Sequence, residues 1–566
     1  MKKIFILLFA INSCSIAFSQ NVGIGTLVPD PSAQLDISAN NRGLLIPRMS
    51  SSAIGLIANP AKGLMVYDSV KNEMLVNMGT ATAPSWQSIG AKSAWNLTGN
   101  AGTDASTQFI GTVDSLPLYF RVNNVWAGSI DSSAQGTFLG FGAGKTAKGS
   151  IQNTAFGFKA LYSNTTGNSN TAAGVTALYS NTTGIQNSAY GMGALYSNTS
   201  GGNNTASGYD ALYSNTTASY NTATGYGALY SNTTGSQNTA TGVDALASNV
   251  SGSDNTATGA NALGYNTTGS LNTALGESAL YENTSGYLNT AGGYQAMYSN
   301  DLGHDNTGIG AFALISNKGG SYNTALGGSA LRTNGPNSQN TAVGYASLSQ
   351  TISSDGNTAL GYRAGATYSN GYYNCFIGSE TDANGPDYYN TIAIGHGTLV
   401  TGANMMRVGN GATTSIGGPV GWSVISDGRV KKNIKEDVPG LAFIKLLRPI
   451  SYTLDLDAID RIVQPPVQKA TDGKTVARVE SAQFKAACKA KEQIVYTGFV
   501  AQEVEQAAKS LSYNFSGVDA PKNEKDLYGL RYSDFVVPIV KAVQEQQTLI
   551  EDLQKQINEI KAMIKK

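Results

Sequence analysis

A chain of 566 residues has room for several domains, and with 37 Lys and Arg against 37 Asp and Glu it carries no net charge, which removes the electrostatic footprint expected of a nucleic-acid binder. Only 13% of its residues are charged, and they are unevenly placed: residues 136–395 hold 17 of them, residues 426–566 hold 41. The chain is therefore a neutral stretch rich in Asn, Thr, Ser and Gly joined to a C-terminal domain of ordinary charge.

Residues 1–19 combine a basic start (Lys2, Lys3), an apolar run from Ile4 to Ile11 and the small-residue site Ala17-Phe18-Ser19. That pattern predicts a secretory signal cut before Gln20, hence a secreted or cell-surface protein. Lipid attachment at Cys14 fits poorly after Asn12-Ser13, and no other run reaches the length of a membrane-spanning helix. Residues 20–90 read as a β module, with short runs at Asn21–Thr26, Gly43–Arg48 and Gly63–Tyr67 bounded by Gly and Pro. Gly23 and Gly25 open no helix, which argues against a dinucleotide site. The module resembles the N-terminal part of secreted bacterial fibre-like proteins. Residues 91–135, with Trp95–Gly99, Phe109–Thr112 and Tyr119–Val122, are expected to form a β connector without a binding role.

Residues 136–410 are a repeat. The fullest unit is N-T-A-x-G-x-x-A-L-Y-S-N-T-T-G-x-x, and its first Asn recurs every 17 residues from Asn153 to Asn374. The Gly four places on recurs sixteen times, from Gly140 to Gly395. A fixed short period means stacked units that bury their apolar faces against one another. Seventeen residues with Gly and Asn inside are too few for a helical hairpin. Thr154–Phe156 and Ala160–Tyr162 read instead as two short strands per unit, giving a parallel β-solenoid, a rod on the order of 75 Å long at one strand spacing per coil. The expected interior is Ala155, Ala172 and Ala189 with the pairs Ala177-Leu178 and Ala194-Leu195. Such a core is thin for one chain, so three chains around an axis are expected to supply the missing burial. The unit is similar to the head repeat of trimeric autotransporter adhesins, most of all at Asn390–Gly395 followed by Val408-Gly409-Asn410.

Tyr occupies the tenth position in seven coils, from Tyr162 to Tyr298. A self-stacking ladder is the favoured reading, a platform for a surface glycan or receptor the other. The N-T-T triplets are read as turns in which Asn adopts a left-handed conformation. Asp210 and Asp244 are equivalent positions two coils apart, about 10 Å, a spacing open to an inverting glycosidase but supported by no second cue. His304, His396, Cys375 and Cys488 do not cluster at ligand spacing, so no metal or cofactor is expected, and Cys375 is expected to be a buried thiol.

After a linker at 411–425 the composition changes. Ser426-Asp-Gly-Arg-Val-Lys-Lys-Asn-Ile434, Gly498-Phe-Val-Ala-Gln-Glu-Val504 and Tyr532-Ser-Asp-Phe-Val-Val537 together resemble the intramolecular chaperone, or auto-processing, domain of phage tail spikes and endosialidases. The resemblance implies a small α+β domain over 426–534 acting as a trimerisation chaperone and as a single-turnover serine peptidase in cis. It implies that Ser426 attacks the Ile425–Ser426 bond with Lys431 as base, while Asp427, Arg429, Asn433 and Gln502 shape the site. The chemistry demands such a pair, because a serine hydroxyl is a weak nucleophile until a neutral base takes its proton. Many members carry His two residues before the Gly of the second motif, and this chain has Tyr496.

Residues 535–566 carry a heptad seam, with Val536, Val543, Ile550, Ile557 and Ile564 at a and Ile539, Gln546, Leu553 and Ile560 at d. Ile at a with Ile or Leu at d leans toward three strands, so a trimeric coiled coil and a homotrimer are expected. The fold class is mainly β: a solenoid, then a small α+β domain and a helix. The expected function is an exported trimeric fibre or adhesin-like protein with a self-cleaving chaperone. Its alternatives are a polysaccharide-acting enzyme of the tail-spike kind and a structural fibre whose chaperone stays attached.

Overall fold

The structure, a computed structural model, describes residues 21–89, 104, 109–147, 149–463, 468–469, 475–476 and 481–565. The expected signal sequence and the Trp95–Gly99 run lie outside them. The chain divides into two compact units, Met1–Val113 and Asp114–Lys566.

In the first unit, strands Arg48–Met49, Met65–Asp68, Glu73–Asn77 and Trp86–Ser88 form one sheet, and Val22–Ile24 pairs with Leu35–Ile37 in parallel. The short helix Ser51–Gly55 starts where the Ser50 hydroxyl accepts from the Ala53 amide, an N-cap. Its Ile54 packs with Val66 and Leu75 in a small core. Leu27, Val28, Leu44 and Leu45 stay outside that core, exposed. The run Gly43–Arg48 expected as a strand is one only at its end.

The second unit opens with the antiparallel strands Leu118–Val122 and Val125–Asp131, the latter pairing with Gly136–Leu139. From there a parallel ladder climbs without interruption to Met406–Val408, each strand three residues long and in register with the next 17 residues on. Only the last step is shorter, Ile392 pairing with Met406. The solenoid and its period are as the sequence predicts.

Each regular coil holds one such strand rather than two; the last two coils add a short second strand each, Asp382–Ala383 paired with Leu399–Val400. The segment expected as the second strand, Ala160–Tyr162, is a turn in which Leu161 has φ of +52°. Leu178, Leu195 and Leu212 repeat it with φ of +51°, +54° and +53°. A left-handed Leu costs about 1–2 kcal/mol. Here the turn aims each leucine fully inward, and its amide donates to the next coil, Leu161 N to Ala177 O at 2.9 Å. Among the strictly repeated glycines, Gly157 has φ of +127°, and a Cβ on it would lie 2.5 Å from Gly174 O, so no other residue fits.

The interior is closed by one chain. Ala155, Ala160, Leu161 and their equivalents in the regular coils are fully buried without any partner. This corrects the expectation that partner chains must fill the core, and the reason is the asparagines. Asn153 and Asn164, with their repeats, lie inside the coil, not at its surface turns. Asn164 and its equivalents lack a positive φ, which corrects the left-handed turn reading. Each is one rung of an amide ladder. Asn181 Nδ2 donates to Asn164 Oδ1 at 2.8 Å, and Asn170 N and Nδ2 donate to Asn153 Oδ1 at 2.9 and 3.2 Å. Both ladders meet on one carbonyl per coil, Gly167 O accepting from Asn153 and Asn164 at 2.9 Å each. A buried amide is costly unless paired, and here both of its ends are.

Beyond the last coil the chain forms a small mixed domain. Ile450–Tyr452 pairs with Tyr496–Gly498, the helix Ala501–Ser510 packs Val504, Ala507 and Ala508 on Phe443, Phe515 and Phe535, and the helix Val536–Ile564 follows. Val543, Ile550, Leu553, Ile557 and Ile560 on that helix are exposed, so its apolar seam has no cover within one chain. Among the described residues no helix is long and apolar enough to cross a membrane.

Candidate active site

The segment after the last coil has neither helix nor strand and is exposed from Ser415 to Ile425. It then tightens into the one-turn 3-10 helix Gly428–Val430, and Asp427 caps that turn by accepting from the Arg429 amide at 2.9 Å. The same carboxylate takes the Arg429 guanidinium, Nε to Oδ2 at 2.9 Å, which holds the Asp427 carboxyl below its usual range. This clamp reverses the chain between residues 426 and 431. Across it Lys431 Nζ donates to Ser426 Oγ at 2.9 Å.

A candidate nucleophile and a candidate base thus stand within hydrogen-bond reach, the geometry nucleophilic catalysis requires. Asp427 and Arg429 build the turn that brings them together. Asn433 lies two residues past Lys431 with φ of +53°, turning the chain away. Gln502 sits exposed on the helix Ala501–Ser510, a separate element outside the contacts that join Ser426 to Lys431. Tyr496 is half-buried, its ring stacked on Tyr452 with centroids 5.9 Å apart. Ser426 and Lys431 are both exposed, and around them so are Trp422, Val424, Ile425, Val430 and Ile434.

Sequence reasoning missed a second set of residues, those by which the domain grips the end of the shaft. Asp526 is buried and accepts from the Thr401 hydroxyl at 2.5 Å and from Arg407 Nη2 at 3.3 Å. Asn384 Nδ2 donates to the carbonyls of Val463 and Lys525, and Asn523 Nδ2 to Thr401 O at 2.7 Å. The available signal was the breakdown of the repeat after Asn374, where Thr391 replaces the ladder asparagine.

On the shaft, Tyr162, Tyr179, Tyr196, Tyr213 and Tyr230 stack with centroids 4.9–5.3 Å apart and planes within 4–7°, the self-stacking ladder. Asp210 and Asp244 both occupy left-handed positions, and desolvation raises the Asp210 carboxyl above its ordinary value. Cys375 is half-buried rather than buried, at the start of its strand, and burial pushes its thiol up. Among the described residues no group of His, Cys, Asp and Glu could hold a metal ion.

Comparison with family models gives two matches. Residues 426–513 match the model described as the chaperone of endosialidase, beginning at the candidate nucleophile itself. Residues 23–104 match a phage tail-like trimerisation region. A search of curated proteins finds no match. The chain carries a trimerisation region, a β-solenoid shaft and an endosialidase-type chaperone domain. These are the parts of a trimeric tail fibre with its own chaperone.

Proposed function

We propose that this is an exported fibre whose C-terminal domain aligns three chains during folding and then cuts itself off between Ile425 and Ser426. The Lys431–Ser426 hydrogen bond at 2.9 Å carries this reading. Neutral Lys431 takes the Ser426 hydroxyl proton, and Oγ attacks the Ile425 carbonyl carbon. The C–N bond breaks, the Ser426 nitrogen leaves as an amine with that proton, and an ester joins Ile425 to Oγ. Water then hydrolyses the ester, leaving a carboxylate on Ile425 and a free hydroxyl on Ser426.

Exposure supplies the timing. An ammonium in water stays protonated at neutral pH and cannot act as a base. The dyad in a lone chain is solvated, so the reaction waits until partner chains cover it. The exposed Trp422, Val424, Ile425, Val430 and Ile434 are the surface they would cover. Because the shaft closes its own core, trimer contacts are required mainly at the ends: the apolar residues left outside the N-terminal core, and the seam of the helix Val536–Ile564. Holding three C-termini in register lowers the entropic cost of aligning repeats that could otherwise slip by one coil.

Intact mass and denaturing gels of the wild type, Ser426→Ala and Lys431→Ala test this. Two fragments, one ending at Ile425 and the other beginning at Ser426, are expected from the wild type and one whole chain from each variant. A wild type that stays whole as a folded trimer overturns self-cleavage and leaves a permanent trimerisation cap.

A further inference from the structure

In the coils up to Asn334 the eleventh and thirteenth residues flank the second buried asparagine, and in the first five, from Ser163 to Thr233, they are Ser and Thr, as in Ser197-Asn198-Thr199. From Val250 onward every coil departs from this, and four successive coils do so with a large or charged residue: Tyr265, Glu282, Asp301 and Lys318. The stacking does not require the change. The asparagine ladder runs on beneath, Asn283 Nδ2 to Asn266 Oδ1 at 2.9 Å and Asn300 Nδ2 to Asn283 Oδ1 at 3.0 Å. All four departures nevertheless line one groove of about 840 Å³, with Ser248 and Leu302 beside them.

We propose that this groove is a binding site for a neutral oligosaccharide lying along the shaft axis. A sugar ring offers an apolar C–H face and a rim of hydroxyl donors and acceptors. The groove offers the matching set. Tyr265 is a half-exposed ring, held edge-on to Tyr281 with centroids 4.8 Å apart. Glu282 and Asp301 are acceptors for sugar hydroxyls; one Asp301 oxygen takes the Thr284 hydroxyl and the other is left for a ligand. Lys318 and the Ser248 hydroxyl supply donors. Two carboxylates against one ammonium disfavour an acidic glycan.

A peptide strand is a poorer occupant. Strand addition needs a free row of backbone groups, and here the backbone is spent between coils, Thr267 N to Thr284 O at 2.9 Å and Thr284 N to Asp301 O at 3.1 Å. Four coils at about 4.8 Å each extend the site over roughly 15 Å, enough for several sugar rings in a row.

The test restores the repeat. The purified chain is titrated by calorimetry with cellohexaose, mannohexaose, chitohexaose and, as the acidic control, hexagalacturonate. At least one neutral hexasaccharide is expected to bind. The fourfold variant Tyr265→Ser, Glu282→Ser, Asp301→Thr, Lys318→Thr is expected to weaken that binding at least about tenfold. Its fold is expected to persist, since each replacement is what neighbouring coils already carry. Glu282→Gln alone, which keeps the side-chain shape, is expected to weaken binding as well. Absence of binding by every neutral hexasaccharide overturns the proposal, as does equal binding by hexagalacturonate, by the fourfold variant or by Glu282→Gln. Cleavage at Ile425–Ser426 is followed in the same samples, so failure here is distinguishable from failure of self-processing.

Discussion

Thr401 and Asp526 lie 125 residues apart in sequence and share a 2.5 Å hydrogen bond, which fixes the chaperone domain to the last coil of the shaft. Arg407 joins them from the final strand at 3.3 Å. Hydrogen bonds and an ion pair make this grip, and under the function proposed above they would let the domain template the first coil to form and then be released. Truncating Asp526 leaves the buried Thr401 hydroxyl and the half-buried Arg407 guanidinium without their acceptor, a cost of about 1–3 kcal/mol. Asp526→Ala is therefore expected to lower several-fold the fraction of chain that refolds into a protease-resistant shaft. A yield equal to wild type would show that the grip follows folding rather than guides it.

Lys431→Arg separates a charged partner from a base. Arginine can still donate to Ser426, but it keeps its proton at any pH a protein survives. The variant should fold and trimerise as wild type does and remain uncleaved in gel and mass measurements. Cleavage at the wild-type rate would remove Lys431 from the role of base.

The period and the alanine and leucine core are legible in the sequence, because each depends on spacing along the chain; the Ser426–Lys431 pair is marked there by its resemblance to the chaperone motif, and the structure sets the two 2.9 Å apart. Three features are not legible there. Leu161 was read as a strand residue, since a left-handed leucine is penalised in isolation and becomes tolerable only when every coil repeats the same turn. Asn164 reads as a turn residue and Asn153 only as the mark of the period, since one coil alone gives an asparagine no partner; its partner is the same residue 17 positions on. The grip of Asp526 on Thr401 and Arg407 depends on how two segments meet, which no local pattern encodes.

The asparagine ladder makes a prediction of its own. Asn238 Oδ1 accepts from Asn255 N and Nδ2 at 3.0 and 3.1 Å, and Asn238 Nδ2 donates to Gly252 O at 2.9 Å. Asn238→Ala would leave the Asn255 backbone N–H without its acceptor in a dry interior, while Gly252 O keeps Asn249 and Asn255 Nδ2 keeps Gly269 O, a cost of about 1–3 kcal/mol. Because stability in a stacked array is set by neighbours, the loss should appear locally. Hydrogen exchange is expected to accelerate in the coils from Asn221 to Asn272 and to stay near wild type at both ends of the shaft. Uniform acceleration throughout would mean that the shaft unfolds as one cooperative unit.

The shaft end carries a buried acid whose titration should be visible in stability. Asp382 lies in the short strand Asp382–Ala383, paired with Leu399–Val400. Burial pushes its carboxyl from 3.8 up to about 6, against the opposing hydrogen bonds from Thr367 and Ala383. An acid whose folded pKa is raised holds its proton more tightly in the fold than in the unfolded chain. Its contribution is therefore fully present below about pH 4 and is lost as pH rises through 6. Above that it amounts to a penalty of about 3 kcal/mol, two pK units at 1.36 kcal/mol each. An asparagine in its place carries no charge and keeps one oxygen to accept from Thr367, but its Nδ2 then faces the Ala383 amide, itself a donor, which offsets part of the gain. Asp382→Asn is expected to be more stable than wild type at pH 7 by up to about 3 kcal/mol and to lose the slope between pH 4 and 6. Denaturant unfolding of both proteins at pH 4 and pH 7 decides it. Equal stabilities at pH 7, or a variant weaker at both, would place the ionised carboxylate among the stabilising groups of the shaft end.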